Sequence, residues 1–203
     1  AAYTVADGRP AWSKPFDPVD DGTPVIVDDL LIAQHEDGHL YAFDVATGAE
    51  RWKLLTGVRG NWCAAGRPAI ADGVLYVSSG AQPPAKPREE YFLHAVDART
   101  GRELWRHVPL GRYPNNHGEC LSEIVVVGDT VVAVSDEYVH GVDRATGRER
   151  YRVETLDGTR PAMVRVLVVV GDRVFGISEG NLRAIDAATG RTVWTRPGTY
   201  QHY

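Results

Sequence analysis

Short apolar runs separated by Asp- and Gly-containing turns set the pattern of this chain. Pro24-Val25-Ile26-Val27 leads into an Asp28-Asp29 turn, Leu30–Gln34 follows, and a Glu36-Asp37-Gly38 turn precedes His39–Asp44. A last stretch over residues 49–54 carries Trp52. Runs of β-branched, aromatic and aliphatic residues bounded in this way are strands joined by hairpins. The same alternation recurs at Ala69-Ile70 with Val74–Ser79, at Ile124–Val127 with Val131–Ser135, and at Val164–Val170 with Arg173–Ser178. No amphipathic helical stretch of useful length interrupts it, so the pattern predicts an all-β chain.

One motif punctuates these strands. Ala42-x-Asp44-x-x-Thr47-Gly48-x-x-x-Trp52 returns as Ala95-x-Asp97-x-x-Thr100-Gly101-x-x-x-Trp105, and as Ala184-x-Asp186-x-x-Thr189-Gly190-x-x-x-Trp194. A further copy reads Gly141-x-Asp143-x-x-Thr146-Gly147-x-x-x-Tyr151. An incomplete copy opens the chain with Ala2, Thr4 in the Asp slot, Gly8 and Trp12, and lacks the Asp and Thr of the others. The aromatic anchors at 12, 52, 105, 151 and 194 are separated by 40, 53, 46 and 43 residues. A period of that size, with four strands in each unit, predicts a β-propeller of four-stranded antiparallel blades. The chain divides into a partial blade over about 1–18 and full blades over about 24–55, 67–108, 122–153 and 164–197, as one segment spanning 1–203.

The motif's chemistry is structural. An Asp entering a tight turn accepts hydrogen bonds from backbone amides just beyond it, and Thr reinforces it. Gly supplies the positive φ that closes the turn. The aromatic is a plate that docks on a neighbouring blade, because an isolated blade cannot cover both its faces. Four Asp residues in register also invite a metal or catalytic reading, but a residue recurring once per repeat is scaffold.

The Ala-x-Asp-x-x-Thr-Gly-x-x-x-Trp string resembles the tryptophan-docking motif of pyrroloquinoline-quinone-type (PQQ-like) propellers, and its copies cover essentially the whole chain. The resemblance implies that Trp12, Trp52, Trp105, Tyr151 and Trp194 are girdle residues, each stacked on the Gly turn of an adjacent blade. Some members of the family are periplasmic quinoprotein dehydrogenases that hold the quinone and a calcium ion. Others are scaffolds without cofactor chemistry, among them an outer-membrane assembly lipoprotein and sensor domains of receptor kinases. Fold alone does not choose between them.

Composition narrows the choice. With 203 residues, 43% of them hydrophobic, the chain can bury one core, and 21 Gly with 12 Pro suit many turns. A net charge of −5 argues against nucleic acid or an anionic membrane surface as partner. No apolar run is long enough for a membrane-spanning helix. The absence of an initiator Met and of a signal peptide fits a processed or excised piece. The opening hairpin lacks two strands of a blade, which predicts a fragment of a longer ring or a half-ring that self-associates to complete one.

Two blade-to-blade crossings concentrate the remaining polar chemistry. One reads Gly57–Arg67 and holds Trp62, the single Trp outside the docking register; the other runs from Gly111 to Cys120. Trp62, Arg112, Asn115, Asn116, His117 and Glu119 are the candidate ligand-binding residues, with Trp62 as stacking plate. Rim-capping loops are the structural alternative. The proline-rich insertion over Gly80–Glu90 is expected to form an exposed loop. Cys63 and Cys120 stand near equivalent points of neighbouring blades, either bridged, as in an oxidising compartment, or free. No two Cys or His residues share a metal-type spacing, and no metal site is expected. His94 and His140 share a strand slot with Tyr41 and Arg183, and His35 and His39 flank a hairpin turn. No Ser-His-Asp set can be assembled from spacing.

For the dehydrogenase alternative, Asn115, Asn116 and Glu119 could supply part of a calcium shell. The Cys-Cys pair of those enzymes is missing, and no catalytic Asp stands beside the loop. The expectation is therefore a non-catalytic, extracytoplasmic binding or scaffold module without cofactor. Its protein or small-molecule partner would be met at the loop face, either as a receptor-kinase sensor or as a cell-envelope assembly scaffold. The excess of Arg over Lys is a compositional hint of a high-GC bacterium, which favours the sensor version.

Overall fold

The computed structural model describes residues 2–4, 6–13, 23–35, 37–57, 67–81, 90–108, 121, 123–135, 138–154, 167–178 and 181–197. The described residues are strands and turns, and none of them is helical. Strands β1 (Ala2–Tyr3) and β2 (Pro10–Trp12) pair as a hairpin. Four four-stranded antiparallel sheets follow, each with its strands in sequence order. The first holds β3 (Val25–Val27), β4 (Leu30–Gln34), β5 (His39–Asp44) and β6 (Glu50–Leu55), and the second β7 (Ala69–Ala71), β8 (Val74–Ala81), β9 (Glu90–Asp97) and β10 (Glu103–His107). The third holds β11 (Glu123–Val127), β12 (Thr130–Val134), β13 (Tyr138–Asp143) and β14 (Glu149–Glu154), and the fourth β15 (Leu167–Val170), β16 (Arg173–Ser178), β17 (Asn181–Asp186) and β18 (Thr192–Pro197). We call these sheets blades 1 to 4. Their first strands approach one another, with β11 in contact with both β7 and β15 and an isolated parallel bridge between Arg67 and Glu123. That is the radial arrangement of a propeller.

Period-two alternation assigns each face of a blade to one neighbour. In β8, Leu75 and Val77 pack with Leu30, Ile32, Leu40 and Ala42 of blade 1. Tyr76, between them, packs with Val131, Ala133 and Val142 of blade 3. Val132, Val134 and Val139 of blade 3 then meet Val174 and Ile185 of blade 4. The core is therefore a series of seams between blades. β12, which serves two seams, is buried at every position.

The turn before each fourth strand is built by its own residues. Asp44 Oδ1 accepts from the Thr47 amide and the Thr47 hydroxyl, both at 2.9 Å, while the Gly48 amide donates to the Asp44 carbonyl at 2.8 Å. Asp97 with Thr100, Asp143 with Thr146, and Asp186 with Thr189 repeat these bonds. Gly48, Gly101, Gly147 and Gly190 all sit at φ between +70° and +72°, where an L side chain is strained. The opening copy corrects the expectation that its Asp and Thr are missing. They are exchanged: the Thr4 hydroxyl donates to the Asp7 carboxylate, and the Gly8 amide donates to the Thr4 carbonyl at 2.9 Å. The turn needs one donor and one acceptor facing each other, and either order supplies them.

These carboxylates titrate low. The Arg150 guanidinium first, then Thr146, bring Asp143 down to about 2. Asp44, Asp97 and Asp186 are lowered mainly by their Thr partners. A carboxylate held below its unfolded value favours the folded state at neutral pH. That contribution is complete above about pH 4 and disappears as pH falls toward about 2. Denaturant midpoints are expected to fall through that acid window, and Asp143→Asn should lose less of its midpoint there than the parent chain. An unchanged acid limb in the variant would refute the assignment.

Candidate functional site

The loop residues proposed to bind a ligand, Trp62, Arg112, Asn115, Asn116, His117 and Glu119, lie outside the described residues, as do Cys63 and Cys120. The described chemistry is concentrated instead along the seams between blades.

The docking aromatics come first. The ring of Trp12 covers Gly48, Trp52 covers Gly101, and Trp105 covers Gly147, each so closely that a Cβ on the glycine would meet the indole at 2.6–2.8 Å. Each indole Nε1 also donates to the carbonyl that follows the turn Asp of the next blade: Val45 at 2.8 Å, Ala98 at 3.1 Å and Arg144 at 2.9 Å. Tyr151 makes the same pair of contacts with Gly190 and, through its hydroxyl, with the Ala187 carbonyl at 2.9 Å. Trp194 packs beside Phe175 of its own blade and remains 37% exposed.

Seam 2/3 adds a groove on the turn side, about 510 Å³ in volume and lined by Tyr76, Trp105, Asp143, Arg144 and Arg150 among others. Its two arginines are already paired. Arg144 donates to Asp72 and to the Tyr76 hydroxyl, and Arg150 donates to Asp143 and the Thr130 hydroxyl. The Arg144 bonds tie blade 3 to blade 2, and the pairing of both arginines leaves them little for an anionic ligand.

Farther along the same seams lie two Ser–His–Glu chains that the spacing did not reveal. Ser79 Oγ is 2.6 Å from His94 Nε2, and His94 Nδ1 is 2.7 Å from Glu103. In blade 3 the corresponding distances are 3.4 Å from Ser135 to His140 and 3.3 Å from His140 to Glu149. Both serines are about 1% exposed, so neither can meet a substrate as a nucleophile. Ser79 also donates to the Thr56 carbonyl at 2.6 Å, which ties blade 2 to blade 1. The available signal was positional: His stands eleven residues before the docking aromatic and Glu two before it, in these two repeats.

His107, on β10, turns toward the second chain. Its Nε2 lies 3.8 Å from Glu149, and the His107 and His140 rings are 6.4 Å apart between centroids. Burial pushes both rings down, His140 to about 4, against the pull of Glu149. Two imidazoles and one carboxylate thus converge, their ligand atoms all within 4.8 Å of one another. Calcium prefers a shell of many oxygens. This nitrogen-rich set does not fit the ion that accompanies the quinone in dehydrogenases.

The profile of the family described as outer membrane protein assembly factor BamB matches residues 1–83 and 89–202. The quinohemoprotein alcohol dehydrogenase of Comamonas testosteroni is 28% identical over 101 residues, which is 47% of this chain and 13% of that protein. The crystal structure of BamB from Moraxella catarrhalis superposes with a TM-score of 0.59 at 22% identity, covering 85% of this chain and 50% of that one. The structure of the Comamonas testosteroni enzyme gives 0.64 at 15% identity, covering 88% and 35%. At such identities the two structures show the propeller fold alone. The chain spans about half the length of the BamB structure and a smaller share of the enzymes. Docking motif, blade geometry and a profile match over nearly every residue agree: the chain belongs to the family of outer membrane protein assembly factor BamB, built from PQQ-like β-propeller repeats.

Proposed function

We propose that this chain is a non-catalytic, extracytoplasmic scaffold segment that binds extended polypeptide along the outer edge of blade 4. One observation carries the reading. β18 is the outer strand of its sheet, with Val193 and Trp194 on it and little charge to guard it. The other outer strands are guarded by charge, through Glu50, Arg51 and Lys53 in β6 and through Glu149, Arg150, Arg152 and Glu154 in β14. β18 carries only Arg196. An unguarded edge offers backbone donors and acceptors to an added strand, while apolar side chains on alternate positions supply grip. An extended polypeptide partner and an extracytoplasmic location agree with a family named for outer-membrane protein assembly.

The reading is tested by fluorescence anisotropy with a labelled peptide of alternating apolar and polar residues. Saturable binding is expected, weakened at least about tenfold by backbone N-methylation of the peptide or by Trp194→Lys, since both attack strand addition. Equal binding of the methylated peptide would overturn the edge mode. Turnover of an alcohol with added pyrroloquinoline quinone, calcium and a redox dye would overturn the non-catalytic assignment.

A further inference from the structure

We propose that the seam between blades 2 and 3 binds a divalent transition-metal ion of the zinc class, with His107 Nε2, His140 Nδ1 and Glu149 as ligands and water completing the shell. The three residues come from β10 and from β13–β14, so the ion would clamp two blades together. Ligand atoms on a tetrahedron with metal–ligand bonds of about 2.1 Å stand about 3.4 Å apart. Glu149 already lies 3.3 Å from His140 Nδ1 and 3.8 Å from His107 Nε2.

The surrounding hydrogen bonds orient both rings for this task. The Ser135 hydroxyl donates to the Tyr138 carbonyl at 3.3 Å, so its oxygen accepts from His140 Nε2. A metal on Nδ1 would place the His140 proton on Nε2, toward the Ser135 oxygen, and would replace the hydrogen bond between Nδ1 and Glu149. His107 makes a hydrogen bond to the Gly147 backbone, while its Nε2 is buried with no hydrogen-bond partner. That assigns the proton to Nδ1 and a lone pair to Nε2. The buried His107 Nε2 faces the Glu149 carboxylate at 3.8 Å without a hydrogen bond, a pairing that a cation between them would satisfy. Glu149 is about one-third exposed, which gives an ion a way in.

The repeats supply an internal control. At seam 1/2, His94 and Glu103 occupy the slots of His140 and Glu149, but Leu54 stands in the slot of His107 and packs into the core. There the carboxylate closes on His94 to 2.7 Å, the length of a charge-assisted hydrogen bond. At seam 3/4 the slot holds Val153. Among the described residues only seam 2/3 has a third ligand, and there the histidine–carboxylate pair is wider.

Calorimetric titration of the full chain with zinc is expected to show one ion per chain. Cobalt should give the visible bands of a low-coordinate nitrogen–oxygen site. His107→Leu, which copies the neighbouring seam, and Glu149→Gln should each weaken binding at least about 100-fold, more than the loss typical of a ligand's supporting partner. Zinc should raise the melting midpoint of the parent and not of the variants. Glu149→Gln changes a partly exposed side chain and keeps the test decisive should His107→Leu fold poorly. Absence of stoichiometric zinc binding, or binding undiminished in both variants, would overturn the site.

Discussion

Trp105→Ala is expected to destabilise the chain by about 3 kcal/mol, the lower end of the range for removing a large aromatic, because the ring is only partly buried. Three contacts are lost together. The indole covers Gly147 of blade 3, donates to the Arg144 carbonyl at 2.9 Å, and lies 5.8 Å from the Tyr76 ring in the seam core. Trp194 occupies the same slot of the repeat but is 37% exposed, with Phe175 as its aromatic neighbour. Trp194→Ala should therefore cost about 1 kcal/mol. Chemical denaturation of the two variants, followed by a probe other than Trp fluorescence, measures the difference. Equal losses would show that the aromatic acts within its own blade and not through docking.

Gly141→Ala should destabilise by about 1–3 kcal/mol although it restores the residue found in the other full repeats. In those repeats Ala42 faces Trp52, Ala95 faces Trp105 and Ala184 faces Trp194 across the hairpin. Gly141 faces Tyr151, whose ring leans so close that an added Cβ would lie 2.1 Å from Cε1. On its other side the same ring would meet a Cβ on Gly190 at 2.3 Å. The tyrosine is held between two glycines and cannot retreat. Adding Tyr151→Trp should recover most of the loss, since Ala with Trp is the pair the other repeats use. A double-mutant cycle on denaturation midpoints reads this coupling directly. A neutral Gly141→Ala, or a double variant no better than the single, would remove the explanation.

Gly141 and Tyr151 also show what the sequence makes legible. Both departures from the repeat can be seen by aligning its copies, and Tyr151 stands out there as a substitution in the docking slot. That the two compensate each other depends on which way the ring leans, and spacing does not carry that information. The exchange of Thr4 and Asp7 was similar. Both residues were visible, but their equivalence to Asp44 and Thr47 rests on hydrogen bonding that is indifferent to order. The candidate ligand loops around Trp62 and His117 were singled out by composition, and they fall outside the described residues. Of the seam histidines, the repeat alignment places His94 and His140 in a shared strand slot and says nothing of His107. His94 and His140 have buried, hydrogen-bonded scaffold roles, while His107 joins His140 and Glu149 in a ligand set that no local spacing displays.

The four-stranded blades, the Asp–Thr–Gly turns and the aromatic slots can all be read from the amino-acid sequence. Each is written in a few contiguous residues: strand alternation has a period of two, and a turn's donors and acceptors lie within three residues of each other. What meets across the seams depends on how the blades pack. The angle and register at which blades pack bring His107 of one blade against His140 and Glu149 of the next. Those contacts join residues far apart in the chain through the packing of whole sheets, a geometry that no single repeat contains.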